Sequence, residues 1–213
     1  MNKEVEDKLA ELDKEVELTE PKRHLEIEVK YNADNIDRMA FKEIARSLNP
    51  KKFLYVESTD VYYVKEGDEF LRYRMKAENS IEDSQAGRSE LTFKKKHTKN
   101  NNIVRTEVNL RVDLNAPELI HAFVEGLGYK KNFSVLKRCD IFFYEKADIV
   151  FYSVKDESGK YANFLEIEID EELDLTEEQS MDIIREYEKI LEPIGITAQK
   201  RMKRSLFEIY VNR

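Results

Sequence analysis

A single cysteine, no apolar run of membrane-spanning length and no glycine-rich phosphate loop set the outer limits for this 213-residue chain. One thiol, Cys139, cannot form an internal disulfide, which fits a reducing, cytosolic compartment. The N-terminus lacks the basic-then-apolar layout of a secretory signal, and nothing is long and apolar enough to cross a bilayer as a helix. Without a P-loop or dinucleotide fingerprint, phosphate binding would have to rest on side chains. His24, His97 and His121 lack ligand spacing, which argues against a zinc site. There is no excess of positive charge either. A net charge of −8 argues against broad electrostatic binding to nucleic acid or anionic membrane.

The chain does have 41% hydrophobic and 38% charged residues, a soluble, globular and charge-rich composition able to bury a core. The charge is uneven. Residues 1–20 hold three Lys and eight Asp or Glu, while the rest is nearly balanced and leaves room for a locally basic pocket. Within this lead-in, Val5, Leu9, Leu12 and Val16 fall on one face of a short helix, expected to pack on the domain or on a partner. Pro21 separates it from the strand that begins near His24, so residues 1–22 read as an acidic helical extension and 23–213 as the main domain.

Period-2 alternation marks eight strands, near 24–32, 58–65, 69–77, 89–97, 103–113, 133–145, 147–155 and 161–170. Turn-rich breaks at 65–69 and 156–160 join two hairpins, and 79–87 reads as a longer loop. Helices are expected over Asp34–Leu48, Asn115–Gly128, Thr176–Leu191 and Thr197–Tyr210. The expected class is α+β, with eight antiparallel strands forming a closed barrel, or tunnel, flanked by helices.

The strands share one peculiarity. Each sets an apolar face against a charged one: Glu26, Glu28 and Lys30; Arg72 and Arg74; Thr92, Lys94 and Lys96; Arg105, Glu107, Asn109 and Arg111; Glu166, Glu168 and Asp170. Any one such face would be the solvent side of a half-buried sheet. Carboxylates two apart on a strand lie only about 6.6 Å from each other. Gathering them twice, at both ends of the strand series, is what a hard cation requires. Arg and Lys in the same two-apart arrangement repel one another unless an anion lies between them. A polar-lined interior reconciles both, with acids on one wall around a divalent metal and bases on the other around a polyanion. Mg²⁺ or Mn²⁺ prefers carboxylate oxygens and bridges phosphates, and Arg binds phosphate in bidentate fashion. Phosphoryl or nucleotidyl transfer is the chemistry these parts imply.

The order of motifs resembles the CYTH domains, or triphosphate tunnel metalloenzymes. "EIEVK" (26–30) is similar to their opening ExExK signature and "LRYR" (71–74) to the LRxR strand. "LTFKKK" (91–96), "VRTEV" (104–108) and "NFLEIEI" (163–169) are similar to the TxK, RxE and closing FxExE strands. The resemblance implies a divalent-metal-dependent enzyme, Mg²⁺ or Mn²⁺ being the expected cofactor, with a small-molecule triphosphate as substrate. Its metal candidates are Glu26, Glu28, Glu166 and Glu168. Its phosphate-binding candidates are Lys30, Arg72, Arg74, Lys94, Arg105, Lys137 and Arg204. Lys30 and Glu107 are the candidate catalytic residues, Glu107 either binding metal or orienting a basic neighbour. Hydrolysis of a triphosphate is the leading expectation. A class IV adenylyl cyclase, and a module that binds polyphosphate without turnover, are the alternatives. No membrane or nucleic-acid partner is expected, and association into a homodimer is left open.

The sequence departs from the family pattern at three places. The second base of the KxR strand is Cys139, with Arg138 facing outward unless a bulge turns it in. The penultimate-strand Asp is replaced by Asp156 or Ser153. The ending "KRSLF" lacks the family's RSY-like aromatic.

Overall fold

The computed structural model describes residues 24–66, 69–76, 89–96, 104–112, 117–170, 173 and 175–211, without the side chains of 24–26, 76, 96 and 104–105. The acidic extension, the 79–87 loop and the side chains of Glu26 and Arg105 therefore lie outside the described residues.

Eight antiparallel strands carry the fold: β1 (His24–Asn32), β2 (Lys52–Val64), β3 (Glu69–Lys76), β4 (Ser89–Lys96), β5 (Val104–Val112), β6 (Lys130–Phe143), β7 (Ala147–Asp156) and β8 (Tyr161–Ile169). They form a strongly curled sheet in the order β1-β5-β4-β3-β2-β6-β7-β8, returning to β1. The return runs through a divided strand. His24–Ile27 pair with β5, whereas Glu28–Asn32 pair with β8. The long central ladder between β2 and β6 holds one register shift, between Tyr62 and Tyr63. β2 begins six residues earlier than the alternation predicts, because its N-terminal half runs along the far end of β6, where Phe53 lies opposite Phe142.

Helices cover the outer face of the sheet. α1 (Arg38–Ser47) starts at Asp37, whose carboxylate accepts from the Met39 amide. Phe41 and Ala45 of α1 pack with Ile183, Ile184 and Leu191 of α3 (Glu177–Leu191) against Ile27, Val29, Ile149 and Ile167. α3 opens with the expected capping box, formed by Thr176 and Gln179. α2 (Pro117–Gly126) sets Ile120 and Val124 on Val61, Tyr63, Leu71 and Tyr73. Its chain turns back at Gly128, which has φ +86°, a conformation glycine adopts without a Cβ clash.

The expected long final helix is not one helix. A single 3-10 turn at Ala198–Lys200 is followed by an extended stretch and then by α4 (Leu206–Tyr210). Two interactions divide it. Arg201 bridges to Tyr31, and the Met202 amide donates to the Lys30 carbonyl at 2.7 Å, which diverts the backbone onto β1. Ser205 and Glu208 then form a second capping box that restarts the helix. The side chain of Arg201 is clamped by both oxygens of Glu188 at 2.7 Å, and Tyr31 donates to the same carboxylate at 2.5 Å.

Candidate functional site

The inner face of the curled sheet encloses a cavity of about 230 Å³. Alternation along the strands decides which side chains reach it. β1 contributes Glu28 and Lys30, β3 Arg72 and Arg74, β4 Glu90 and Lys94, and β5 Glu107. β6 adds Lys137 and Cys139, β7 Asp148 and Val150, and β8 Glu166 and Glu168. Acids dominate the adjacent arc β7-β8-β1, while Arg72, Arg74, Lys94 and Lys137 stand on β3, β4 and β6. So the charged strand faces turn inward together, and every described member of the expected set except Arg204 lines the cavity.

On the acidic arc, Glu166 is the most engaged carboxylate. It accepts from Tyr152 Oη at 2.6 Å and pairs with Lys30 Nζ at 2.5 Å, while Glu28 lies 3.5 Å from the same ammonium. Burial pushes Glu166 toward the neutral form, but Lys30 and Lys137 outweigh it and hold the carboxyl at about 2. Glu28, Glu168 and Asp148 stand abreast, directly opposite one another across β1, β8 and β7. Burial and the nearby Asp170 push Asp148 up to about 7. These three offer only oxygen donors, the kind that Mg²⁺ or Mn²⁺ takes. The donor chemistry therefore fits a hard divalent ion. Among the described residues, however, no three acidic, His or Cys side chains are gathered as a formed metal cluster.

On the basic arc, Arg74 is fixed from behind. Its Nε and Nη2 donate to the two oxygens of Asp60 at 2.8 Å each, and Ser58 Oγ donates to Asp60 at 3.2 Å. Asp60 is fully buried. That burial opposes ionisation, yet Arg74, Lys137 and Arg72 keep the carboxyl well below the usual range. Lys94 pairs with Glu107 at 2.5 Å, and Arg72 Nη2 lies 3.0 Å from Thr92 and 3.7 Å from Glu107. Arg72 Nε is buried without a hydrogen-bond partner among the described residues. Lys137 is only 7% exposed and has no hydrogen bond or ion pair among the described residues. Its ammonium lies 3.9 Å from the centre of the Tyr152 ring. Burial lowers the pKa of Lys137.

One end of the cavity is aromatic. Phe207 of α4 stacks on Phe70 with centroids 4.2 Å apart, and Tyr62 stacks on Phe133 at 4.4 Å. Ser205, Leu206 and Phe207 line the cavity there. The aromatic that "KRSLF" lacks next to its Ser thus arrives one residue later, as Phe207.

Several expectations need correcting. Arg204 is exposed and away from the cavity, donating to the Glu208 carbonyl at 2.9 Å, because the Ser205 cap turns the chain so that Leu206 and Phe207 face inward. Neither Asp156 nor Ser153 supplies an inner acid. Asp156 caps the β7–β8 turn by accepting from Ser158 and Lys160, and Ser153 bonds Asn163 at 2.7 Å. Asp148, five positions before Ser153 and eight before Asp156, is the β7 acid that lines the cavity. As expected, by contrast, Arg138 faces outward to Glu57 at 3.2 Å, and the unbroken register around it leaves Cys139 in the inner position. Asp60 and Asp148 were not singled out from the sequence. Asp60 shares a strand face with Ser58 and Tyr62, which was a usable signal. Asp148 sits in an apolar run whose two faces look alike.

An antiparallel sheet curled around a cavity lined by buried acids and bases defines a class, that of β-enclosed, charge-lined binding folds. Within it, the chain belongs to the CYTH domain family, whose profile matches residues 24–206. Among solved structures, a Pyrococcus horikoshii OT3 protein is 24% identical with TM-score 0.65, covering 88% of this chain and 98% of its own. A candidate adenylate cyclase from Vibrio parahaemolyticus is 17% identical with TM-score 0.62, over 88% and 98%. The Mimivirus capping enzyme triphosphatase is 13% identical with TM-score 0.53, over 92% and 99%. At these identities the likeness is one of fold. No curated protein matches significantly.

Proposed function

We propose that this chain hydrolyses a small triphosphate, inorganic or organic, bound inside the curled sheet with a divalent metal. One observation carries the reading. Lys137, only 7% exposed, makes no hydrogen bond or ion pair among the described residues and feels Glu166 and Asp60 only at longer range, facing a cavity that also receives Arg72 Nε, unbonded among the described residues. A desolvated cation is costly unless an anion completes it. A chain of phosphates brings several negative charges to that wall at once.

Each described residue has a role in this scheme. Lys137, Arg72 and Arg74 bind the phosphates, with Asp60 holding Arg74 in place. Lys94 and Lys30 add two further ammonium groups, each oriented by its own acid, Glu107 and Glu166. Glu28, Glu168 and Asp148 would hold Mg²⁺ or Mn²⁺, which when bound supplies charge neutralisation and a more acidic water. Water attacks the terminal phosphorus, the bridging P–O bond breaks, and a cavity carboxylate takes the water's proton.

Purified protein incubated with tripolyphosphate, ATP or thiamine triphosphate, with Mg²⁺ or Mn²⁺, should release orthophosphate. Cyclic AMP with pyrophosphate would replace the hydrolase reading with a cyclase. Tight binding without any product would leave a binding module.

A further inference from the structure

The outer face of the sheet is covered unevenly. α1 and α3 shield β1, β7 and β8, and α2 shields β2, β3 and the adjoining Leu91 of β4 and Val112 of β5, with Phe93 at the margin of that cluster. On β5, Val108 and Leu110 are 49% and 59% exposed, with half-buried Phe93 directly opposite Val108 on β4. The same part of β5 has a free side. Its pairing with β1 ends at His24 opposite Glu107, so Val108–Val112 have no strand partner there among the described residues. An exposed apolar face beside an unpaired strand edge invites a cover.

The chain itself brings one to this place. β1 runs antiparallel to β5, so residues preceding His24 enter from the side of Val108 and Leu110. They include Val5, Leu9, Leu12 and Val16, an apolar stripe about 17 Å long if helical. A helix this short is marginal alone in water and needs a surface to pack on. Charge agrees. Residues 1–20 carry eight acids against three lysines, and Lys95, with Glu69 opposite it on β3, is exposed on the outer face of β4 beside the apolar patch.

We propose that residues 1–20 form an amphipathic helix that docks its Val5-Leu9-Leu12-Val16 stripe on Val108, Leu110 and Phe93 of the same chain. Hydrogen exchange on the full-length protein tests this. Amides 5–16 should exchange at least tenfold more slowly than an unstructured peptide, and Val108→Glu/Leu110→Glu should return them to that rate. Zero-length carbodiimide coupling of the unsubstituted protein should join acids of 1–20 to Lys95. In a mixture of ¹⁵N-labelled and unlabelled chains, those links should stay within single chains. Unprotected amides, protection that survives the β5 substitutions, or links formed mainly between labelled and unlabelled chains would overturn the proposal, the last by showing a second copy as the occupant.

Discussion

Asp60 and Arg74 illustrate how a single pair sets the cost of a charged interior. The carboxylate is fully buried, and the guanidinium is its bidentate partner. Arg74→Ala should therefore cost about 3–5 kcal/mol in urea unfolding, since it strands a buried charge. Adding Asp60→Asn should recover part of that loss, which a double-mutant cycle reads directly. Glu166 adds a pH signature. Its carboxyl titrates at about 2 when folded against an ordinary 4.5, so below 4.5 the unfolded chain takes up the proton first. That contribution is complete above pH 4.5 and is lost as pH falls toward 2. Unfolding series at pH 5, 4 and 3 should show a steeper loss for the unsubstituted protein than for Glu166→Gln.

The elements matter through the ends they close. α4 has only five residues, yet its capping box turns Leu206 and Phe207 into the cavity and Arg204 out of it. Phe207→Ala removes the stack on Phe70 and should cost about 1–3 kcal/mol, read as a lowered melting temperature. The strands were legible because a charged face opposite an apolar one survives in short stretches such as "LRYR" and "NFLEIEI". The last helix was misread for the opposite reason. The bridge between Arg201 and Tyr31 is a contact across the fold that local spacing does not encode. Asp148 stayed hidden likewise, because "ADIVFYSV" is buried on both faces and alternation carries no sign there.

At the scale of the molecule, the curl of the sheet converts strand faces that would otherwise be wet into one cavity. Glu28, Asp148, Glu166 and Glu168 stand on β7, β8 and β1, and most bases on β3, β4 and β6, interleaved with Glu90 of β4 and Glu107 of β5. This segregation was legible as the two-apart spacing of like charges, whereas its local pairings, such as Lys30 with Glu166 and Arg74 with Asp60, depend on cross-strand register. The central claim is that this interior awaits a polyanion, and Lys137 is where it is most exposed to test. Titration calorimetry of tripolyphosphate into the unsubstituted protein and into Lys137→Met, both in EDTA, measures it without turnover. Lys137→Met should bind at least tenfold more weakly while unfolding at the same urea concentration or higher, since a desolvated charge has been removed. Equal affinity in the two proteins would contradict the account.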